Sequence, residues 1–242
     1  TADGTIMPPM LEYFKRGIKT AEQRNAEVLV IQLNTPGGSV SVMSEMITAI
    51  GNSTVPVVIY VSPKDAQAAS AGALITMAGH ASAMSPRTVI GAASPIDSSG
   101  ADIESTLEKK IKEDLKAKAR TLVERRGPDA IQLAEAMIDD AKAATAKESL
   151  DAKLIDFISD DTEDLLQSLN GFTVQMDSGS HTFNTTDVRT QDLNISFIEQ
   201  LLLMLTDPNI AFLLLAIGVQ GVLIEISSPG GWFAGFIGAT CL

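Results

Sequence analysis

Two apolar runs set the limits on what this chain can fold into. Val28–Leu33 (VLVIQL) and Val55–Val61 (VPVVIYV) are rich in β-branched residues and read as strands buried on both faces. The first runs into Asn34-Thr35-Pro36-Gly37-Gly38-Ser39; the second is soon followed by Ala68-Ala69-Ser70-Ala71-Gly72-Ala73-Leu74. Both turns are built from small residues, and both lead into helix-patterned sequence. Strand, small turn and helix in repetition predict an α/β fold around a parallel sheet with right-handed crossovers.

The neighbouring segments extend this pattern. Met10–Arg24 carries Met10, Leu11, Phe14 and Ile18 at helical spacing, and Val42–Ile50 carries Val42, Met46, Ile47 and Ile50. Ala73–Ala78 reads as the helix behind Ser70, Ala83–Pro86 as a turn and Thr88–Gly91 as a short strand. A long charged helix is expected over Ile103–Arg126, with Leu107, Ile111, Leu115 and Leu122–Val123 as its buried stripe, ended by Gly127-Pro128. Another helix follows over Asp129–Ala141. Thr145-Ala146-Lys147-Glu148 has the form of a capping box, and Ile155–Ile158 reads as a strand. Residues 170–194 then change character to a β-hairpin and a polar linker.

The C-terminal part differs again. Phe197–Leu205 is an apolar-rich short helix, broken by Thr206–Asn209. Ile210–Ile224 has Gln220 as its one polar side chain, and a second apolar stretch from Trp232 follows the break Ser227-Ser228-Pro229-Gly230-Gly231. A spanning helix needs about 17–25 apolar residues. With Trp232 and Phe233 placed as interfacial residues, the pattern predicts a membrane hairpin; the alternative is a buried core helix. Expected boundaries are therefore 1–168 for an enzyme-like domain, 169–194 for a hairpin and linker, and 195–242 for an interfacial helix and the start of a membrane domain.

The net charge of −12, from 18 basic and 30 acidic residues, argues against nucleic-acid binding. The one cysteine, Cys241, allows neither an internal disulfide nor a cysteine zinc cluster, and the two histidines, His80 and His181, suggest no metal site. No cofactor is expected. Thr1–Gly4 has neither a basic nor an apolar leader region, so no signal peptide is expected there.

Ser70 is the residue with chemical promise. At a helix N-terminus, a hydroxyl without bulk around it has backbone N–H groups nearby, which suits a nucleophile. On that stretch alone, an ordinary helix cap is the simpler reading. Equivalent strand ends of a parallel sheet lie at one edge, so the N–H of Gly37 or Gly38 can face Ser70. Gly38 and Ala71 then make a two-donor oxyanion hole. His80, ten residues down the helix, lies about 15 Å away along the axis and cannot serve as the base. A partly buried lysine can, and candidates fall in Lys109–Lys112 and Lys116–Lys118.

The ordered set Thr35-Pro36-Gly37-Gly38, Tyr60-Val61-Ser62-Pro63, Ala68-Ala69-Ser70-Ala71-Gly72 and Ile90-Gly91-Ala92-Ala93-Ser94-Pro95 resembles the membrane-bound ClpP-class serine proteases, the NfeD or stomatin-operon-partner family. The likeness continues through Lys110-Ile111, Ala119–Gly127 and Thr145–Asp156, and covers residues 4–160. Asp65 and Gln67 depart from its usual pattern. The resemblance implies a ClpP/crotonase-like parallel-sheet spiral with flanking helices, followed by a C-terminal transmembrane segment. It implies Ser70 as nucleophile, Lys110 as general base, and Gly38 and Ala71 as oxyanion donors beside Gly37. It further implies cleavage of apolar peptide segments, a stomatin- or flotillin-like (SPFH) membrane partner, a lipid bilayer, a homo-oligomer of at least two copies, and a cell-membrane location with the protease domain outside the cytoplasm. The long form of the family carries further transmembrane helices and a small β-barrel domain, which these 242 residues do not include. Two other readings stand beside it: a membrane scaffold for an SPFH assembly with little proteolysis, and a crotonase-type acyl-CoA enzyme.

Overall fold

The structure, a computed structural model, describes residues 1–95, 105–206, 208–227 and 232–241. The expected helix start at Ile103, much of the loop before it, and the break at 228–231 lie outside the described residues. The chain divides into two compact units, Thr1–Asn194 and Ile195–Leu242.

In the first unit the elements are, in order, β1 (Ala2–Asp3), α1 (Pro8–Gln23), β2 (Leu29–Asn34), α2 (Val40–Gly51), β3 (Val57–Val61), β4 (Gln67–Ala69), α3 (Ala71–Ala78), β5 (Ala81–Met84), β6 (Val89–Gly91), α4 (Ser105–Val123), α5 (Pro128–Asp139), β7 (Ala143–Thr145), α6 (Ala146–Asp151), β8 (Phe157–Ile158), α7 (Thr162–Leu169), β9 (Thr173–Met176) and β10 (Gly179–Thr182). A short 3₁₀ turn, Glu124–Arg126, joins α4 to α5. Five strands make a parallel sheet in the order β1-β2-β3-β5-β8. A second sheet, β4-β6-β7, is parallel at its first pair and antiparallel at its second.

The two sheets are linked by a repeated path. Each turn of the chain lays a strand in the large sheet, then an extended segment in the small layer, then a helix. Thr35, just past β2, bridges Ala68 of β4, and Ile6, past β1, bridges Gly38. The result is a spiral of strand–strand–helix units. The small layer collects the ends of successive units, and this is what brings Gly38, Thr35 and Ser70 to one edge.

Local chemistry explains the helices that matter. Pro8 and Pro9 open α1, where a missing N–H does no harm. Ser39 caps α2 by accepting the Val42 N–H. Helix α3 (AGALITMA) is apolar or small all round and buried for seven of its eight residues, so it runs through the core rather than over it. The expected stripe of α4 is confirmed at Leu115 and Val123, but Leu107 is 51% exposed. The first turns of α4 therefore stand away from the core. One face of the large sheet, through Val58, Tyr60, Ala81 and Ala83, packs on Leu165 and Leu169 of α7 and on Val174 and Phe183 of the hairpin region.

The second unit contains α8 (Phe197–Leu205), α9 (Pro208–Ser227) and α10 (Phe233–Cys241). Ser196 and Glu199 form a capping box at the start of α8. One described helix, over Asn209–Ser227, is long and apolar enough to cross a membrane, with mean hydropathy 2.2 and almost no burial within the chain. Helix α10 runs back along it. A side chain at Gly221 would strike Ala234 and Gly238, and one at Gly238 would strike the backbone of α9. The Glu225 side-chain oxygens accept the N–H groups of Trp232 and Gly235 at 3.2 and 3.1 Å, which gives a polar side chain partners within an apolar hairpin.

Candidate active site

Ser70 sits between β4 and α3 with φ 53° and ψ −117°. A non-glycine residue in this region costs about 1–3 kcal/mol and persists only where its surroundings hold it. They do: the Ser70 N–H donates to Gly91 O at 2.8 Å, its carbonyl accepts the Ala73 N–H at 3.0 Å, and the preceding Ala69 N–H donates to Thr35 O at 3.0 Å. Although Ser70 occupies the N-cap position of α3, its side chain makes no capping hydrogen bond. The hydroxyl is half-buried and uncommitted, so the helix-cap reading of the sequence fails at its central point.

The glycine turn after β2 lies directly against this serine. A Cβ on Gly37 would stand 2.7 Å from Ser70 Cβ and 3.2 Å from Ser70 Oγ, and Gly37 has φ +112°. Only glycine leaves the hydroxyl its space at this point. The Gly37 N–H is already taken, donating to Thr35 Oγ1 at 3.0 Å. Gly38 is different. In its bridge to Ile6, the Ile6 N–H donates to Gly37 O and the Ser39 N–H to Ile6 O. In that pattern the N–H and C=O of Gly38 itself point the other way. Neither is hydrogen-bonded to a described residue, and the Ala71 N–H donates to none either. Of the two glycines weighed from the sequence, Gly38 is the one with a donor to offer.

The structure thus brings Gly37, Gly38, Ser70 and Ala71 together. It does not join Lys110 to them. Lys110 is exposed near the start of α4, and neither its Nζ nor Ser70 Oγ is hydrogen-bonded to a described residue. Of the other candidate lysines, Lys109 is exposed with no partner among the described residues, and three are committed elsewhere. Lys112 pairs with Glu108 and donates to Asp139 O, and Lys118 reaches Asp114 and Ser44 Oγ. Hydrogen bonds to Asp139 and Glu113 push Lys116 up to about 12, which holds it as a cation. His80 is likewise no base for Ser70: it is buried at the far end of α3, where its Nδ1 accepts the Val57 N–H at 3.0 Å.

The apolar side chains at the start of α2, just past the glycine turn, divide between core and surface. Val42 and Met43 are buried at 4% and 1% exposure and belong to the core, whereas Val40 is 46% exposed at the start of α2. Sequence reasoning missed Thr35 as a site residue, although its place before Pro36-Gly37-Gly38 was the available signal. A cavity of about 760 Å³ lies elsewhere, between α1, β2 and residues 188–194, and none of the candidate site residues lines it.

A spiral of strand–strand–helix units that presents a serine at the head of a buried helix is a ClpP-like architecture. ClpP1 from Listeria monocytogenes matches it with TM-score 0.55 at 17% identity, over 67% of this chain and 91% of that one, a likeness of fold alone. More narrowly, the chain belongs to the family described as NfeD1b, N-terminal domain, whose model matches residues 3–178. It is 36% identical over 241 residues to the membrane-bound protease PH1510 of Pyrococcus horikoshii, covering 98% of this chain and 54% of that protein. It is 25% identical to the membrane protein NfeD1b of Bacillus subtilis, over 96% of this chain and 51% of that protein. The chain therefore spans about half the length of these relatives. Among solved structures, a lysine-to-alanine variant of the P. horikoshii 1510-N stomatin-specific protease in complex with a substrate peptide matches with TM-score 0.78 at 33% identity, over 85% of this chain and 94% of that one.

Proposed function

We propose that this chain contains the catalytic unit and the first membrane segments of a membrane-bound serine endopeptidase working through a Ser–Lys dyad. The observation that carries the reading is Ser70: a strained serine at the head of a buried helix whose hydroxyl caps nothing, set beside Gly37 and two N–H groups unpaired among the described residues. In the mechanism, neutral Lys110 takes the Ser70 hydroxyl proton as Oγ attacks the scissile carbonyl carbon. The N–H groups of Gly38 and Ala71 receive the oxyanion. Lys110 then protonates the leaving amine, and the ester is hydrolysed by water activated by the same lysine. The free N–H and C=O of Gly38 suit an extended substrate strand, and Val40 offers it an apolar contact.

The assignment of Lys110 draws support from the relatives. One solved form of the P. horikoshii protease replaces a serine by alanine and another a lysine by alanine, about forty positions further along. In this chain the same interval from Ser70 ends at Ile111, one position past Lys110 and one before Lys112. Catalytic hydrogen bonds are commonly loose before substrate arrives, so an open Ser70–Lys110 pair is compatible with the dyad.

The substrate class follows the same line. The related protease is described as stomatin-specific, and an apolar segment of a stomatin-like membrane protein is the substrate proposed here, with α9 in the bilayer and the catalytic unit outside the cytoplasm. The scaffold reading draws on the open pair and the exposed apolar faces of α8 and α9. A fluorophosphonate probe separates the two. Labelling that is abolished in Ser70→Ala, with peptide cleavage lost alongside it, is the expected result. A Ser70→Ala chain that still cleaves at the wild-type rate ends the peptidase reading.

A further inference from the structure

We infer that Thr35 is the positioning residue that sets the oxyanion loop against the nucleophile turn, an inference that rests on the peptidase reading above. Thr35 is completely buried just past the end of β2, and each part of it holds a different piece of the site. Its Oγ1 accepts the Gly37 N–H at 3.0 Å and lies 3.2 Å from Gly37 O, to which it donates. Its backbone N–H donates to Gln67 O at 2.7 Å, and its C=O accepts the Ala69 N–H at 3.0 Å, forming the bridge to Ala68. Its methyl group fills the space beside Gly72, where an added Cβ would come within 2.5 Å of Thr35 Cγ2. One residue thus grips the loop that carries Gly38 on one side, and both flanks of Ser70 on the other.

The hydroxyl has a specific task. By taking the Gly37 N–H inward, it leaves the next N–H, that of Gly38, as the one facing open space. Ile6 steadies the same loop from the opposite side through Gly37 O and the Ser39 N–H, but among the described residues the Gly37 N–H is bonded to Thr35 alone. Remove the hydroxyl, and a buried donor is stranded. The loop then gains by turning that peptide toward another acceptor, which carries the Gly38 N–H off the oxyanion position. Thr35 itself touches no substrate, so its effect falls on the transition state rather than on substrate affinity.

The test compares Thr35→Val, which keeps the methyl group and β-branching, with Thr35→Ser, which keeps the hydroxyl, both in the full chain in detergent. Thr35→Val should lower kcat at least about tenfold with KM within about twofold, the signature of an interaction made in the transition state. The affinity of a peptide boronic acid should fall with kcat, and Thr35→Ser should keep both near wild type. Amide hydrogen exchange at Gly37 should accelerate in Thr35→Val and stay slow in Thr35→Ser. Wild-type kcat and Gly37 protection in Thr35→Val would overturn the inference, as would a Thr35→Ser enzyme as impaired as Thr35→Val. If Thr35→Val does not fold, Thr35→Ser decides: wild-type kcat with Gly37 protected supports the hydroxyl's role, and a loss of either refutes it. A wild-type chain with no Ser70-dependent cleavage refutes the peptidase reading instead, and the Gly37 exchange rates still decide for Thr35.

Discussion

The two halves of the proposed dyad are built in opposite ways. Ser70 is held in a strained conformation by hydrogen bonds from three chain segments, and the glycines beside it are fitted to within a methyl group. Lys110 stands exposed near the start of α4, one turn beyond an exposed Leu107, with no described partner. In the proposed dyad, the spiral would fix the candidate nucleophile and oxyanion donors in advance, and the candidate base would have to come to them. Preorganised donors gain most from rigidity, because they act on charge that develops only in the transition state. A lysine has to be neutral to act as base, and exclusion of water by a bound substrate favours the neutral form.

Substitutions should separate the halves. Lys110→Met should lower kcat/KM by about 10²–10⁴-fold, the usual range for a lost general base, while leaving the thermal midpoint unchanged, because no described contact is lost. Lys116→Met should keep activity near wild type, since Asp139 and Glu113 hold that lysine charged at about 12. An activity loss at Lys116 as large as that at Lys110 would move the base down the helix. Gly37→Ala should lower kcat/KM by about 10²–10³-fold and also lower stability, because the new methyl group meets Ser70 Cβ at 2.7 Å and the backbone needs φ +112°. Activity and stability therefore fall together in the rigid half and separately in the open half. Steady-state kinetics and thermal denaturation on the same preparations check both.

The same contrast explains how much could be read from the sequence. The strands β2 and β3, the helices α1 to α3 and the Thr145–Glu148 capping box were legible, because periodicity and cap chemistry are local, although β3 is buried throughout and β2 only at Ile31 and Leu33. The short strands β4, β5 and β7 were not. Residues such as Ala68, Ala81, Ala83 and Ala144 have little strand preference of their own, and their pairing comes from the spiral that surrounds them. Ser70 was readable as an exposed hydroxyl at a helix start, but its freedom from capping depends on a φ that no sequence pattern reveals. The motif around Asp156 proved to be structural: its carboxylate accepts the Ser82 N–H at 2.8 Å and pairs with Arg126 at 2.8 and 2.9 Å. Leu107 reads as a core residue on periodicity alone, and the missing information is that its side chain stands exposed among the described residues.

Val40 and Met43 carry the comparison to the substrate side. They are three residues apart on α2, yet Met43 is buried and Val40 faces out beside Gly38. Met43→Ala should cost about 2–5 kcal/mol of stability, as for other buried methionines, and leave the preference for apolar substrates unchanged. Val40→Asp should leave stability within about 0.5 kcal/mol and shift the preference away from apolar peptides by about 10-fold, the scale of one or two buried methylene groups. Denaturant unfolding and a small peptide series tell them apart. A specificity change in Met43→Ala without loss of stability would place that residue against the substrate.

The smallest expected effect is one of pH, and it falls on the rigid half alone. His80 follows the helix that starts at Ser70, and burial, with Arg125 second, holds it below the ordinary histidine value of 6.5. The imidazole must be neutral to accept the Val57 N–H through Nδ1. Arg125 occupies the carbonyls of Gly79 and His80 at 2.8 and 2.7 Å, so a second cation there would be poorly placed. A histidine depressed in the fold takes up its proton more readily in the unfolded chain. Its contribution is therefore complete above pH 6.5 and is lost as pH falls from there toward the folded value, at a slope of up to about 1.4 kcal/mol per pH unit for one proton. Denaturant midpoints measured from pH 7.5 to 5 should decline over that window in wild type, and less in a His80→Asn chain, whose Oδ1 can accept the same N–H without titrating. An equal decline in both would remove His80 from the account. Since Lys110 makes no described bond in the resting state, Lys110→Met should follow the wild-type curve throughout.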